Sequence, residues 1–259
     1  MILLNGDCIE ILQKFVSTNS VDCFILDLPD GQTGCSWDKK IDLKLLWKEL
    51  KRTSRNDNTP FFFFTTTRFG YELIESNKKW FRYDLVVEKT RKVGFMNSKR
   101  MPLRNHEMIY VFYNKTPTYN YEFYHKRIET KKIRKNLNLN VYNLNQKIKK
   151  IIKYEPVLPS SILKMHNNTN KNLFRKGSPK VNMTKNYHPT EKSIDILEWI
   201  IKYYTNEGDT VLDPTMGCGS TGVACDNLNR KFIGIEKDKK FYDIAVSRIN
   251  GYKTHIIKN

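Results

Sequence analysis

The sequence has 259 residues, with 45 Lys and Arg against 27 Asp and Glu, a formal net charge of +18 and a pI near 9.6. That length suits one α/β domain carrying an insertion better than two independent domains. No run approaches the roughly 18 apolar residues of a membrane span, the opening "MILLNGDCIEIL" has acids where a signal peptide would be apolar, and five cysteines without a CxxC pair or His-bearing spacing indicate neither a disulfide framework nor a metal site, so a soluble intracellular protein is expected.

Along residues 1–113, "CFILD" is predicted as a buried strand, "LKLLWKEL" as a helix, "PFFFFTT" as a second apolar strand, "FGYELIES" as a helix, and "YDLVVEK" and "EMIYVFY" as two more strands. Such alternation argues for a mostly parallel sheet with helices on its faces. From about Asn114 to residue 186 the pattern dissolves into a polar, basic insertion. Between Asn114 and Lys180 there are sixteen Lys or Arg and three Asp or Glu, so thirteen of the eighteen net positive charges fall in that stretch. This is the footprint of a polyanionic partner; a solubilising surface in a Lys- and Asn-rich proteome is the plainer alternative. Order returns over 187–259. "HPTEKSIDILEWIIKYY" has an entry turn and apolar Ile194, Leu197, Ile200 and Ile201 at helical spacing, "TVLDPTMGCGSTGVACDNLNR" is strand, glycine loop and helix, and "KFIGIEKD" is a strand ending on an acid.

Gly217, Gly219 and Gly222 let backbone approach a ligand, and the helix opening at Ser220 and Thr221 offers free N–H groups to an anion. Glu236, nineteen residues after Gly217, stands at a strand end where a carboxylate can take both ribose hydroxyls. A dinucleotide fits the same geometry. Asp213-Pro214 immediately before the glycines favours a single nucleoside with a charged tail.

These segments together resemble the β-class, circularly permuted amino-methylating DNA methyltransferases that use S-adenosylmethionine. "LDPTMGCGSTGVAC" is similar to that family's cofactor loop, "HPTEKSIDILEWII" to the segment before it, "LLNGDCIEIL" with "SVDCFILDLPDG" to its opening, and "RNHEMIYVF" to its His-Glu strand. The resemblance implies a Rossmann-like seven-stranded sheet in which the insertion at 114–186 is the target-recognition region. It further implies that Asp7 and Cys8 hold the cofactor adenine, that Asp213, Thr215, Met216, Gly217, Cys218, Gly219 and Ser220 hold its methionine end, and that Glu236 holds the ribose. His188, Thr190 and Lys192 would support the cofactor, although His188 and Thr190 also suit helix capping and Asp7 a turn.

In "DLPDG" the residues Asp27, Leu28, Pro29 and Asp30 are the candidate catalytic motif, with Asp27 near the cofactor as well. An exocyclic amine is a poor nucleophile because its lone pair is delocalised into the ring. Holding its two hydrogens on the Asp27 carboxylate and the Leu28 carbonyl favours pyramidal nitrogen, and Pro29 stiffens the loop without adding a donor. A base treated this way leaves its stack and is held against an aromatic side chain. The family has Tyr or Phe at the fourth motif position, where this chain has Asp30. Stacking on an aromatic is worth about 1–3 kcal/mol per base, so its loss implies roughly tenfold to more than a hundredfold less turnover. Trp37 is the nearest replacement and is also a natural core residue. Aspartate in first position resembles the adenine-N6 forms more than the cytosine-N4 forms. The expected function is therefore site-specific adenine-N6 methylation of double-stranded DNA with reduced or abolished turnover. The alternatives are a nucleic-acid-binding pseudoenzyme and a cytosine-N4 or RNA methyltransferase. His106 and Glu107 are expected near the base. Arg100, Arg104, Lys126, Arg127, Lys131, Lys132, Arg134 and Lys135 are candidates for phosphate contact. The class also leaves room for a homodimer.

Overall fold

The computed structural model describes residues 1–31, 40–130, 151–164 and 191–256. The chain divides into two compact units, Met1–Thr118 with Ser161–Asn259, and Tyr119–Ser160.

The larger unit contains β1 (Ile2–Asn5), α1 (Cys8–Phe15), β2 (Cys23–Leu26), α2 (Leu43–Thr53), β3 (Phe61–Thr65), α3 (Thr67–Ser76), β4 (Phe81–Val93), and β5 (Arg104–Phe112). The smaller unit holds α4 (Tyr121–Tyr124), β6 (Lys126–Thr130) and β7 (Ile151–Glu155). The larger unit resumes with β8 (Ile162–Lys164), α5 (Ile194–Tyr204), β9 (Thr210–Asp213), α6 (Ser220–Asn227), β10 (Lys231–Glu236) and α7 (Lys239–Ile256). Its sheet runs β1-β10-β9-β2-β3-β5-β4-β8. The first five strands are parallel neighbours, β5 is antiparallel to both β3 and β4, and β8 pairs parallel with the outer edge of β4. Seven strands meet the expected sheet. The eighth, β8, comes from the stretch expected to be insertion.

Burial on both faces explains why β3 is an uninterrupted apolar run. Phe61 and Phe63 meet Trp47 of α2 at ring distances of 5.4 and 5.3 Å, whereas Phe62, pointing the opposite way, meets Tyr204 of α5 at 4.8 Å. The helices therefore cover both faces. Helix α2 is bolted to α1 by Arg52, whose guanidinium donates to Leu12 O at 2.6 Å and Val16 O at 3.0 Å and so satisfies carbonyls at the end of α1. Asp7, Asp42 and Thr66 accept a backbone N–H at the starts of α1, α2 and α3.

In the smaller unit β6 and β7 form an antiparallel pair from Lys126↔Glu155 to Thr130↔Ile151. The Tyr121 ring lies 5.9 Å from Tyr119 and 6.3 Å from Tyr154, and buried His125 bonds through Nδ1 to Pro156 O at 2.7 Å. Among the described residues no helix is long and apolar enough to cross a membrane.

Candidate active site

Four neighbouring parallel strands end in acids along one edge of the sheet. Glu236 closes β10, Asp213 closes β9, Asp27 follows β2 and Asp7 stands two residues past β1. Strand order reverses between the parallel neighbours β9 and β2, since β9 leads outward to β10 while β2 leads the other way to β3, and a crevice at such a switch point is where open α/β sheets bind ligands. The register places Cys23 opposite Val211 and Phe24 opposite Leu212, so the loops after both strands leave side by side. Thr215 Oγ1 donates to Asp27 O at 3.0 Å and ties the two loops together.

Asp27 faces a largely shielded cation. Lys192 Nζ lies 2.7 Å from Asp27 Oδ2 and 3.1 Å from Glu107 Oε1, and Lys89 reaches the other Glu107 oxygen at 3.3 Å. Burial raises the Asp27 carboxyl against the pull of Lys192, with the Glu107 charge adding to the rise. At Glu107 burial also pushes upward, but Lys192 and Lys89 outweigh it and hold the carboxyl below its ordinary value. Burial would lower the Lys192 ammonium; its two carboxylate partners instead raise it, so it stays charged.

The glycine loop is shaped by the backbone conformations it needs. Gly217 and Gly219 have φ of +54° and +82°, which favours glycine at both. A Cβ on Gly217 would meet nothing within 4 Å, so that backbone faces open space; one on Gly222 would lie 2.4 Å from Ile249 Cδ1 and 2.9 Å from Phe232. Gly217 thus leaves room for a ligand, and Gly222 lets α6 pack closely. Glu236 accepts from the Gly217 N–H at 2.9 Å and the Asp238 N–H at 2.7 Å. Asp213 is buried and accepts from the Thr221 hydroxyl at 2.6 Å and the Thr215 N–H at 3.1 Å; burial outweighs these bonds and pushes its carboxyl up to about 7. Met216 and Cys218 are buried beneath the loop.

At the far side of the crevice, Asp7 accepts from Ile9 N–H at 3.0 Å and pairs with Lys237 at 3.1 Å, while Cys8 turns into the core and burial raises its thiol to about 12. Asn5 Nδ2 donates to Glu236 O at 2.8 Å, which locks the ends of β1 and β10 together. Asp30 lines a cleft of about 360 Å³ with Gly31, Lys40, Arg68 and Glu72, and Lys40 pairs with Glu72 across it at 2.7 Å. His188, Thr190 and Trp37 lie outside the described residues, as do Lys131, Lys132, Arg134 and Lys135. Arg100 and Arg104 are exposed on the β4–β5 hairpin, next to exposed His106; Lys126 and Arg127 begin β6.

Two residues here lie outside the candidate set read from the sequence. Arg248 of α7 pairs with Glu191 at 2.6 Å, and Ser220 Oγ donates to the same Glu191 carboxylate at 3.2 Å. The pair fastens the residue before Lys192 to the start of α6. Glu191 sits inside "HPTEK", but nothing in a helix of mixed charge marks Arg248. Among the described residues no cluster of His, Cys, Asp or Glu could hold a metal ion.

A family model described as DNA methylase matches residues 36–247. The Type II methyltransferase M2.LlaDCHI of Lactococcus lactis subsp. cremoris is 48% identical over 68 residues, 26% of this chain and 25% of that protein. The chain spans about a quarter of the length of the curated relatives it matches. Among solved structures, the M1.HpyAVI-SAM complex superposes with a TM-score of 0.59 at 24% identity, covering 96% of this chain and 98% of that one. The PvuII DNA methyltransferase (cytosine-N4-specific) gives a TM-score of 0.64 at 12% identity over 99% and 93%. The central sheet is a Rossmann-like methyltransferase fold.

Proposed function

Because this chain belongs to the N6/N4 DNA methylase family, we propose that it transfers a methyl group from S-adenosylmethionine to the N6 amine of an adenine turned out of double-stranded DNA. The observation that carries this reading is the Thr215–Asp27 bond, which couples the glycine loop to the acid best suited to hold an amine. S-adenosylmethionine supplies an electrophilic methyl group on a sulfonium. The open face at Gly217, the Glu236 carboxylate beside it and the acids at Asp7 and Asp213 fit its methionine, ribose and adenine parts.

The Asp27 carboxylate accepts one amine hydrogen and the Leu28 carbonyl the other, so the lone pair turns toward the methyl carbon. Lys192 opposes protonation of Asp27 and, braced by Glu107, fixes its direction. Pro29 limits the loop, and water exclusion by the buried Met216 and Leu28 strengthens these contacts. The chain is read as circularly permuted, since the catalytic strand β2 precedes the glycine-loop strand β9 in sequence yet lies beside it in the sheet. Residues 114–186 serve as the target-recognition region, with Lys126 and Arg127 on phosphates. Asp30 removes the aromatic partner of the base and lowers turnover.

Methyl transfer from labelled S-adenosylmethionine to unmethylated genomic DNA, by this chain and by Asp30→Tyr, tests the reading. N6-methyladenine made faster by Asp30→Tyr supports it. N4-methylcytosine would move the acceptor to the other amine, the specificity of the PvuII DNA methyltransferase. Cofactor binding with neither chain transferring methyl would leave a nucleic-acid-binding pseudoenzyme.

A further inference from the structure

The β4–β5 hairpin carries apolar side chains where a solvated turn has no use for them. The two strands pair from Phe81↔Phe112 to Glu88↔His106, lose register, and close again at Val93↔Arg104. Such a bulge bends and re-aims a ribbon. Beyond it Gly94, at φ +89°, turns the chain into a short 3-10 turn over Phe95–Asn97, closed by Asn97 N–H to Gly94 O at 2.9 Å and Arg100 N–H to Asn97 O at 2.9 Å. The turn is ordered by its own backbone, yet Phe95 is 79% exposed, Met96 98%, Met101 58% and Val93 48%. Single exposed apolar residues are ordinary; four on one turn mark a surface that something covers.

The charge around the tip says what covers it. Lys89, Arg91, Lys92, Lys99, Arg100 and Arg104 fall in the stretch from the end of β4 to the start of β5, and residues 89–104 contain no acid. Lys92, Lys99, Arg100 and Arg104 are exposed and, among the described residues, lack an ion-pair partner. The same hairpin begins at the candidate active site, because Glu107, three residues from Arg104, holds Lys192 against Asp27. At a strand rise of about 3.3 Å per residue, Arg104 lies roughly 10 Å along β5 from Glu107, the span of about three stacked base steps.

Building on the DNA-methylating reading above, we propose that the Phe95-Met96 turn is a wedge that enters between stacked base pairs beside the target while Lys99, Arg100 and Arg104 grip the flanking phosphates. Apolar wedges of this kind unstack a step and unwind the duplex, which lowers the cost of extruding a neighbouring base. The wedge contributes no hydrogen bonds to base edges, so it acts on any sequence the recognition region accepts.

Unwinding can be read without turnover and without knowing the target sequence. Closed circular plasmid is relaxed by a topoisomerase with the protein bound, stripped, and its linking number measured; duplex binding is followed separately by fluorescence anisotropy across salt concentrations. The wild-type chain should lower the linking number in proportion to the amount bound. Phe95→Ala/Met96→Ala should lose at least about fivefold of that unwinding per bound molecule while duplex affinity changes less than about threefold. Phe95→Leu/Met96→Leu, which keeps the apolar bulk, should retain it. Lys99→Ala/Arg100→Ala should weaken binding and reduce the salt slope by about two, one per lost phosphate contact. Equal unwinding by the double-alanine variant, or tight binding by the wild type with no change in linking number, overturns the wedge and leaves the methyltransferase reading standing. Failure of the wild-type chain to bind duplex overturns both.

Discussion

The Lys192 ammonium sits 2.7 Å from the Asp27 carboxylate, and both belong to loops brought together from opposite ends of the chain. The pair is mostly shielded, with side-chain exposures of 15% and 33%, and Glu107 completes it from β5. A carboxylate pressed into such a site would otherwise take up a proton and become a donor, useless for holding an amine hydrogen. The lysine therefore works against that protonation and aims the acid that the proposed chemistry depends on. The resemblance implies that Lys192 supports the cofactor, and in the structure its ammonium pairs with both acids.

Replacing Lys192 by Met should expose that dependence. Asp27 is already raised by burial against the pull of Lys192, and Glu107 is held low partly by the same cation, so both carboxyls move upward when it is removed. The ionised form of Asp27 is the working one, so the acid limb of the pH–rate profile should shift to higher pH. Loss of a charge-assisted hydrogen bond should lower methyl transfer at neutral pH by about tenfold or more. Lys192→Arg keeps the charge and should shift the limb less. Identical pH profiles for all three chains would remove Lys192 from any role at Asp27.

Asp213 sets a stability dependence of unusual sign. Its folded carboxyl stands near 7 against 3.8 for the free group, because burial outweighs the Thr221 and Thr215 bonds. A carboxyl raised in the folded state binds more protons folded than unfolded, so stability falls as pH rises from about 3.8 to about 7 and then levels. Asp27 and Glu236 are raised as well and act in the same direction, whereas Asp7 and Glu107 are held low and matter only in more acidic solution. Between pH 6 and 8 the Asp213 contribution is on the order of 1 kcal/mol. Urea unfolding should give a higher midpoint at pH 6 than at pH 8, and Asp213→Asn should flatten most of that difference. A midpoint that rises with pH in the wild-type chain would contradict the assignment.

Much of this was legible in the sequence for identifiable reasons. Apolar runs bounded by turn residues located β2 and β3, helical spacing located α2, α3 and α5, and an acid after an apolar strand located Asp27, Asp213 and Glu236 at one edge. What escaped was tertiary. β8 is only three residues long, too short for alternation to register, and is a strand because β4 offers it a free edge. The Lys192–Glu107 pair joins α5's approach to β5, and the Arg248–Glu191 pair joins α7 to the same approach; neither has a local pattern. The hairpin tip was read for its arginines alone, since exposure of Phe95 and Met96 cannot be told from burial in a sequence.

Glu236 bridges the Gly217 and Asp238 amides in the structure, a position from which its carboxylate can meet ribose hydroxyls beside the loop. Glu236→Gln keeps the shape but sets an amide NH₂ against one of those N–H donors. Hydrogen bonds to a charged acceptor contribute about 1.5–3 kcal/mol, so the dissociation constant for S-adenosylmethionine, measured by calorimetry, should rise about tenfold to a hundredfold. An unchanged constant would place the ribose elsewhere.

Gly217 and Gly222 should fail in opposite ways when each is changed to Ala. At Gly217 the added Cβ meets no atom within 4 Å but must adopt φ near +54°, which costs about 1 kcal/mol, and it projects into the space left for a ligand. Gly217→Ala should therefore lower the urea midpoint only by that backbone cost while binding S-adenosylmethionine at least about tenfold more weakly. At Gly222 the Cβ would press to 2.4 Å from Ile249 Cδ1 and 2.9 Å from the Phe232 ring, so α6 must lift from its neighbours. Overpacking of this kind costs about 1–3 kcal/mol, and the ring can give less than the isoleucine terminus. Gly222→Ala should lower the unfolding midpoint, with cofactor affinity in the folded fraction changed less than for Gly217→Ala. If Gly217→Ala bound S-adenosylmethionine as tightly as the wild-type chain, the loop would be a turn that joins β9 to α6, and the cofactor would have to approach the sheet edge away from it.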